Sequence, residues 1–120
     1  MTEDRADPFI YLLMSPDDHD RAVALTSHLP HLVAAALAGL LPPELHDLTA
    51  SGFRDTTRVA AGDSALWTAI FVQNRGPVLD ALARLEEALA QFRQALGGAD
   101  ADALRTLLTR AKKVRDALGS

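Results

Sequence analysis

The chain contains no cysteine and a single tryptophan among its 120 residues. Without cysteine there can be no disulfide framework, thiol nucleophile or cysteine-ligated zinc site. No Gly-X-Gly occurs, so both the dinucleotide fingerprint and the phosphate loop are missing. Basic excess is also missing: the formal charge is −4, which gives nucleic-acid binding no electrostatic support. The longest apolar run, Leu32 to Leu41, has ten residues and falls short of a membrane span. The acidic start, MTEDRADP, lacks the basic-then-apolar pattern of a signal peptide. The length suits one domain, too short for a cofactor sheet and a substrate domain together. These limits lead us to expect a soluble, cytoplasmic, single-domain protein with neither a nucleic-acid nor a membrane partner.

What is present is helical patterning. Ser15 can cap, Pro16 suits a first helical position, and Asp17 and Asp18 favour the positive end of a helix. Residues 16–41 read as one long helix with apolar positions at Val23, Leu25, Leu29, Leu32, Val33, Ala36, Leu37 and Leu40. Pro30 lies inside it and predicts a kink near Thr26–Pro30. Leu41-Pro42-Pro43 ends that helix. A short helical turn is expected around Glu44–Leu48, a loop through Ser51-Gly52, and a brief helix near Thr56–Ala60. Asp63 should cap a helix over Ser64–Asn74, with Gly76 and Pro77 breaking the chain after it.

Val78, Leu82, Leu85, Leu89, Phe92 and Leu96 follow a 4-3-4-3-4 spacing, a heptad seam. Gly97-Gly98 should terminate that helix and Asp100 cap the next. A second stripe follows at Leu104, Leu107, Leu108, Ala111, Val114 and Leu118. Two such helices around a Gly-Gly turn predict a long antiparallel hairpin that seeks a partner surface. The basic cluster Arg105, Arg110, Lys112, Lys113 and Arg115 reads as cations at a helix C-terminus, with a binding patch as the alternative. The fold class is all-α, with one short strand-like segment, Phe9–Met14, in an N-terminal tail of residues 1–14 and a helical domain over 15–118.

Two segments concentrate polar chemistry. His28 and His31 lie three apart beside the proline and can face one site, although they lack the third ligand of a metal centre; the alternative is that both are simply packed or solvated. Ser27 beside His28 does not make a nucleophile pair, because helical neighbours point about 100° apart. The second segment is Gly52-Phe53-Arg54-Asp55-Thr56-Thr57-Arg58. On a helix, Arg54 and Arg58 share a face and Asp55 could hold the Arg58 guanidinium. An arginine so placed suits a carboxylate through paired hydrogen bonds. The alternative is that Asp55 caps a short helix and both arginines are solvated.

Three segments, in order, carry a resemblance. His19-Asp20 followed by Ser27-His28-Leu29-Pro30-His31 resembles the first helix of the C-terminal domain of prephenate dehydrogenases. Gly52 to Ala60 is similar to that family's second signature, and Asp63–Trp67, Ile70-Phe71 and Asn74-Arg75 to its third. The likeness spans roughly residues 9–118. It implies a helical domain in an intertwined homodimer that closes over prephenate, or binds a tyrosine-like molecule. It also implies a separate Rossmann domain that carries NAD or NADP and the catalytic histidine. Phe9–Met14 resembles the last strand of that domain, or the linker after it. The parent reaction, oxidative decarboxylation of prephenate to 4-hydroxyphenylpyruvate, lies on the route to tyrosine.

By resemblance, Arg58 takes the position that binds the ring carboxylate. His31, Ser27 and His28 would line the substrate side chain, Arg54 and Asp55 the pocket entrance, and Trp67 its edge. Two positions depart from the family pattern: Ala50-Ser51-Gly52 replaces a more glycine-rich approach, and Ser64 stands where a proline often starts the helix. The expectation is a dimerisation and substrate-binding domain without its Rossmann partner, inactive alone, with no cofactor or metal of its own. Two other functions fit less well: a free-standing module binding tyrosine or a partner chain, and a small helical mutase acting on chorismate. The heptad seam leads to a direct expectation. Light scattering at micromolar concentration should return twice the 12.9 kDa chain mass, and the monomer mass would contradict self-association.

Overall fold

The computed structural model describes residues 14–119. All of the regular structure among them is helical. The expected strand-like segment falls outside the described residues except for Met14, which lies in a bend. Contacts divide the chain into a first unit through Leu82 and a second from Ala83, and the boundary falls inside a continuous helix.

The first helix, α1, spans Pro16–Val23, and it starts for the reasons its sequence suggests. The Ser15 hydroxyl accepts the Asp18 amide at 3.1 Å, Pro16 occupies the first turn where no amide partner is needed, and Asp18 pairs with Arg21. A π-helical segment, Ala24–His28, then runs into α2, Leu29–Gly39. The Leu29 amide reaches back five residues to the Ala24 carbonyl, widening the turn just ahead of Pro30. Pro30 thereby follows directly on the widened turn, at the second position of α2. The irregularity predicted at Thr26–Pro30 is real, but it takes the form of a π segment.

Joined end to end, Pro16–Gly39 forms 24 helical residues with an 18-residue window of mean hydropathy 1.4, long and apolar enough to cross a membrane. This corrects the expectation drawn from uninterrupted runs, which Thr26, Ser27, His28, Pro30 and His31 conceal. In this fold the helix is a wall of the small core. Leu29, His31 and Ala34 are buried, and α2 packs against the segment from Ser51 to Ala61.

After the Pro42-Pro43 stop, a 3-10 turn covers Pro43–Leu48, close to its predicted place. Helix α3 covers Ser51–Thr57 and tightens into a 3-10 turn, Arg58–Ala61. The expected loop at Ser51-Gly52 is therefore helical. Ala50 leaves the helix start uncapped by any side chain, so packing against α2 supports a helix that local propensity would not. Helix α4 is Ser64–Gln73, capped by Asp63, whose carboxylate accepts the Ala65 amide at 2.9 Å. The break after it falls at Asn74, ahead of the predicted Gly76-Pro77. Both of those residues lie in the opening turn of α5, Arg75–Gly97, where proline is tolerated.

Helix α6, Ala101–Ala117, follows a three-residue turn and is capped by Asp100, which accepts the Ala103 amide at 3.0 Å. At its other end Lys112 pairs with Asp116 and Arg115 donates to the Gly119 carbonyl, as expected of cations at a helix C-terminus. Gly97-Gly98 ends α5 as predicted, yet Ala99 adopts the left-handed conformation, at φ 50°. The Asp100 amide bonds to the Ala95 carbonyl and the Ala99 amide to that of Leu96, a Schellman closure with alanine where glycine is favoured.

The buried residues are mostly small: Ala24, Ala34, Ala81 and Ala95 beside Leu29, Val78 and His31. Leu40, Leu48, Val72, Leu96 and Leu118 are each at least 65% exposed. In the first heptad-like stripe Val78 is buried, Leu82, Leu85 and Phe92 are half-buried and Leu89 and Leu96 are exposed, whereas in the second Leu108, Ala111, Val114 and Leu118 are exposed. The strained turn supplies a direct test. Ala99→Gly should raise the urea midpoint by the equivalent of about 0.5–1 kcal/mol, the left-handed penalty less the extra chain entropy of glycine. A lower midpoint would show that Ala99 is not strained.

Candidate functional site

The structure draws together four rings from three elements, the π segment, α2 and α4. His31, on α2, is 7% exposed and stacks on Trp67 of α4, with centroids 3.7 Å apart and planes at 12°. His28, three residues earlier at the end of the π segment, meets Trp67 edge-on at 6.1 Å and 83°. Phe71, one turn beyond Trp67, contacts His31 at 6.2 Å and Trp67 at 5.7 Å. Spacings of three on one helix and four on the other place each pair on a shared face. Gly62 completes the close fit: a Cβ there would stand 3.1 Å from both His31 Cε1 and Trp67 Nε1. Lacking one, the backbone passes beside the stack.

Asn74 anchors the other end. Its amide Nδ2 donates to the Asp20 carbonyl at 2.9 Å and lies 3.2 Å from His28 Nδ1, bridging residues 54 and 46 positions away in sequence. Burial holds His28 below its ordinary value of 6.5, against the Asp20 carboxylate, which raises it. His28 is consequently neutral at pH 7.

The second predicted segment is placed differently. Arg54, Asp55 and Arg58 are all exposed, on α3 and the 3-10 turn that pack against α2. The expected Asp55–Arg58 pairing is absent. Among the described residues the ion pairs are His19–Asp20, Arg21–Asp18, Arg105–Asp102 and Lys112–Asp116. The switch from α to 3-10 geometry at Arg58 ends the regular spacing on which the pairing relied. Both guanidiniums therefore keep their donors available. Arg54 lines an open cleft of about 230 Å³ with Leu41, His46, Thr49, Phe53 and Thr57. Ser27 is exposed, and its hydroxyl makes no hydrogen bond among the described residues. No group of acids and histidines able to hold a metal ion occurs among the described residues.

Asn74, Phe71 and Gly62 were missed as site residues. Asn74 carried a signal, since asparagine often follows a helix end, but its long-range bond to Asp20 is not encoded in any local pattern. Gly62 shows only in three dimensions.

A first helix interrupted beside two histidines, a helix carrying a stacked tryptophan, and an arginine-bearing connector are thus combined in one all-helical arrangement. The chain belongs to the prephenate dehydrogenase family, matching its dimerization domain over residues 15–110. It is 36% identical over 113 residues to the cyclohexadienyl dehydrogenase of Zymomonas mobilis, covering 88% of this chain and 39% of that protein. It is 33% identical over 114 residues to the prephenate dehydrogenase of Bacillus subtilis, covering 90% of this chain and 31% of the relative. Among solved structures, Synechocystis arogenate dehydrogenase superposes with a TM-score of 0.80 at 33% identity, over 87% of this chain and 40% of that one. Prephenate dehydrogenase from A. aeolicus, in complex with hydroxyphenyl propionate and NAD+, superposes with a TM-score of 0.75 at 32% identity, covering 87% and 39%. The chain thus spans between about a third and two-fifths of the relatives' lengths. Membership of this family sets aside the mutase alternative.

The lowered His28 pKa has a defined sign. The unfolded chain takes up a proton near 6.5 that the folded chain resists, so acid favours unfolding. Stability from this group should hold above 6.5, decline as pH falls from there through the folded-state value, and then level off. Urea midpoints across that window should fall more in the wild type than in His28→Gln, whereas parallel curves would contradict the shift.

Proposed function

We propose that this chain is the substrate-gripping and dimer-forming part of an NAD(P)-dependent dehydrogenase acting on prephenate or its amino counterpart, arogenate. The observation that carries the reading is the pairing of the His28–His31–Trp67 cluster with Arg58 and Arg54, whose donors are free, on the connector against the same helix. A cyclic acid presents a ring and carboxylates. Flat aromatic and imidazole faces suit the first, and an arginine fork suits the second. The A. aeolicus relative bound to hydroxyphenyl propionate, a ring with a carboxylate tail, supports that class of ligand.

In this reading Arg58 anchors the ring carboxylate, while His31, His28 and Ser27 face the side chain. Arg54 and Asp55 set the charge at the pocket entrance, and Trp67 forms its edge. The nicotinamide cofactor is assigned to a separate Rossmann domain; the A. aeolicus relative is complexed with NAD+, and in this reading the residues described here bind and orient the acid that the cofactor oxidises. The exposed leucines on α5 and α6 support a homodimer whose second copy covers them.

Two outcomes follow. The 120-residue chain with prephenate and NAD+ or NADP+ should generate no reduced cofactor by absorbance, and turnover would contradict the division of labour. In the enzyme completed with a nicotinamide-binding domain, Arg58→Ala should weaken prephenate binding by about 1.5–3 kcal/mol, the range for a hydrogen bond to a charged group. Unchanged affinity by calorimetry would remove Arg58 as the anchor.

A further inference from the structure

We infer that Asn74 is a positioning residue that locks His28 in one tautomer, with its proton on Nε2 and that N–H available to a bound acid. The inference rests on the reading of His28 as a ligand-facing residue, and it follows from the chemistry of three atoms. The Asp20 backbone carbonyl can only accept a hydrogen bond. At 2.9 Å from the Asn74 side chain it requires the amide nitrogen, not the amide oxygen, at that position. The same nitrogen lies 3.2 Å from His28 Nδ1 and brings its second hydrogen there. Nδ1 must then present a lone pair, and a neutral imidazole with a bare Nδ1 carries its proton on Nε2.

The constraint works only because Asn74 has two donors and both are used. Asp20, in α1, fixes which face of the amide points inward, and the amide in turn fixes the ring. The Trp67 edge contact, at 83°, restrains the same ring from a second direction. His28 thus has its orientation and its proton set by neighbours on three elements, α1, α4 and the Asn74 break, before any ligand arrives. Such preorganisation is what a hydrogen-bond donor to a carboxylate or carbonyl oxygen needs, since no reorganisation accompanies binding. The placement also gives a reason for the chain break at Asn74. A helix terminus frees this side chain to turn back toward α1, which a residue inside a continuous helix could not do so readily.

The experiment reads the tautomer directly. Nitrogen-15 NMR of the ring nitrogens at neutral pH in the 120-residue chain should show His28 with a bare Nδ1 and a protonated Nε2. Asn74→Ala should give a mixture of the two tautomers. Asn74→Asp keeps the shape but offers only acceptors, and it should move the proton to Nδ1. Circular dichroism checks that both variants keep their helix content. An unchanged His28 signature in both folded variants would overturn the inference. Titration with hydroxyphenyl propionate separates this from the underlying reading. If His28→Ala binds the probe as well as wild type, the assignment of His28 to the site fails, whatever the tautomer does. If His28 contributes, Asn74→Asp should lose roughly three- to tenfold in affinity, about one hydrogen bond, while Asn74→Gln recovers part of it. A folded Asn74→Asp chain with shifted tautomer and full affinity would overturn the positioning role.

Discussion

The stack of His31 on Trp67 holds the rest of the first unit in register. An imidazole and an indole 3.7 Å apart and nearly parallel must both be delivered by rigid backbone, and the two helices that deliver them are joined by more than twenty residues of short, irregular turns. Everything between serves that delivery. The 3-10 turns and α3 fold the connector back onto α2, and Gly62 lets the chain pass beside the rings without a side chain in the way. Upstream, the π segment carries the chain from α1 into Pro30 and α2, with His28 at its end and His31 just beyond. A regular α-helix through Pro30 would leave an unpaired carbonyl and steric conflict with the preceding turn. Two features that look like defects, a proline inside a helix and a glycine in a helical connector, are thus what the stack requires.

Much of this was legible beforehand, and what was not has identifiable causes. Caps were the clearest signals: Ser15, Asp63 and Asp100 each accept an amide in the turn they were expected to start. These depend on a few neighbouring atoms, so local chemistry decides them. The start of α3 was misplaced because Ser51 and Gly52 are poor helix formers and only packing on α2 makes them helical. The break at Asn74 was assigned to Gly76-Pro77 because those residues disrupt helix interiors but are harmless in a first turn. His28, His31 and Trp67 are candidates by spacing and resemblance, and the structure places their three rings side by side. The Asp55–Arg58 pair was drawn from ideal α spacing and fails where the backbone changes to 3-10. Asn74 could be found only through a contact spanning 54 positions.

The sparse core follows from the same division of labour. Among the described residues the buried positions are mostly alanines, while Leu89 and Leu96 on α5 and Leu108 and Val114 on α6 stay exposed. That pattern accords with a family matched through its dimerization domain. In the relatives, a domain of this kind is about a third to two-fifths of the protein.

If the histidine–tryptophan cluster and its arginine connector receive the acid, as proposed, hydroxyphenyl propionate should perturb them first. Chemical-shift mapping of the isotope-labelled chain reads this, since Trp67 is the only tryptophan and its indole N–H resonance is unambiguous. The shifts should concentrate on the Trp67 indole, the His28 and His31 rings and the Arg58 guanidinium. Shifts confined instead to the larger cleft between α5 and α6, lined by Gln91, Gln94, Thr106 and Arg110, or absent from the cluster altogether, would contradict it.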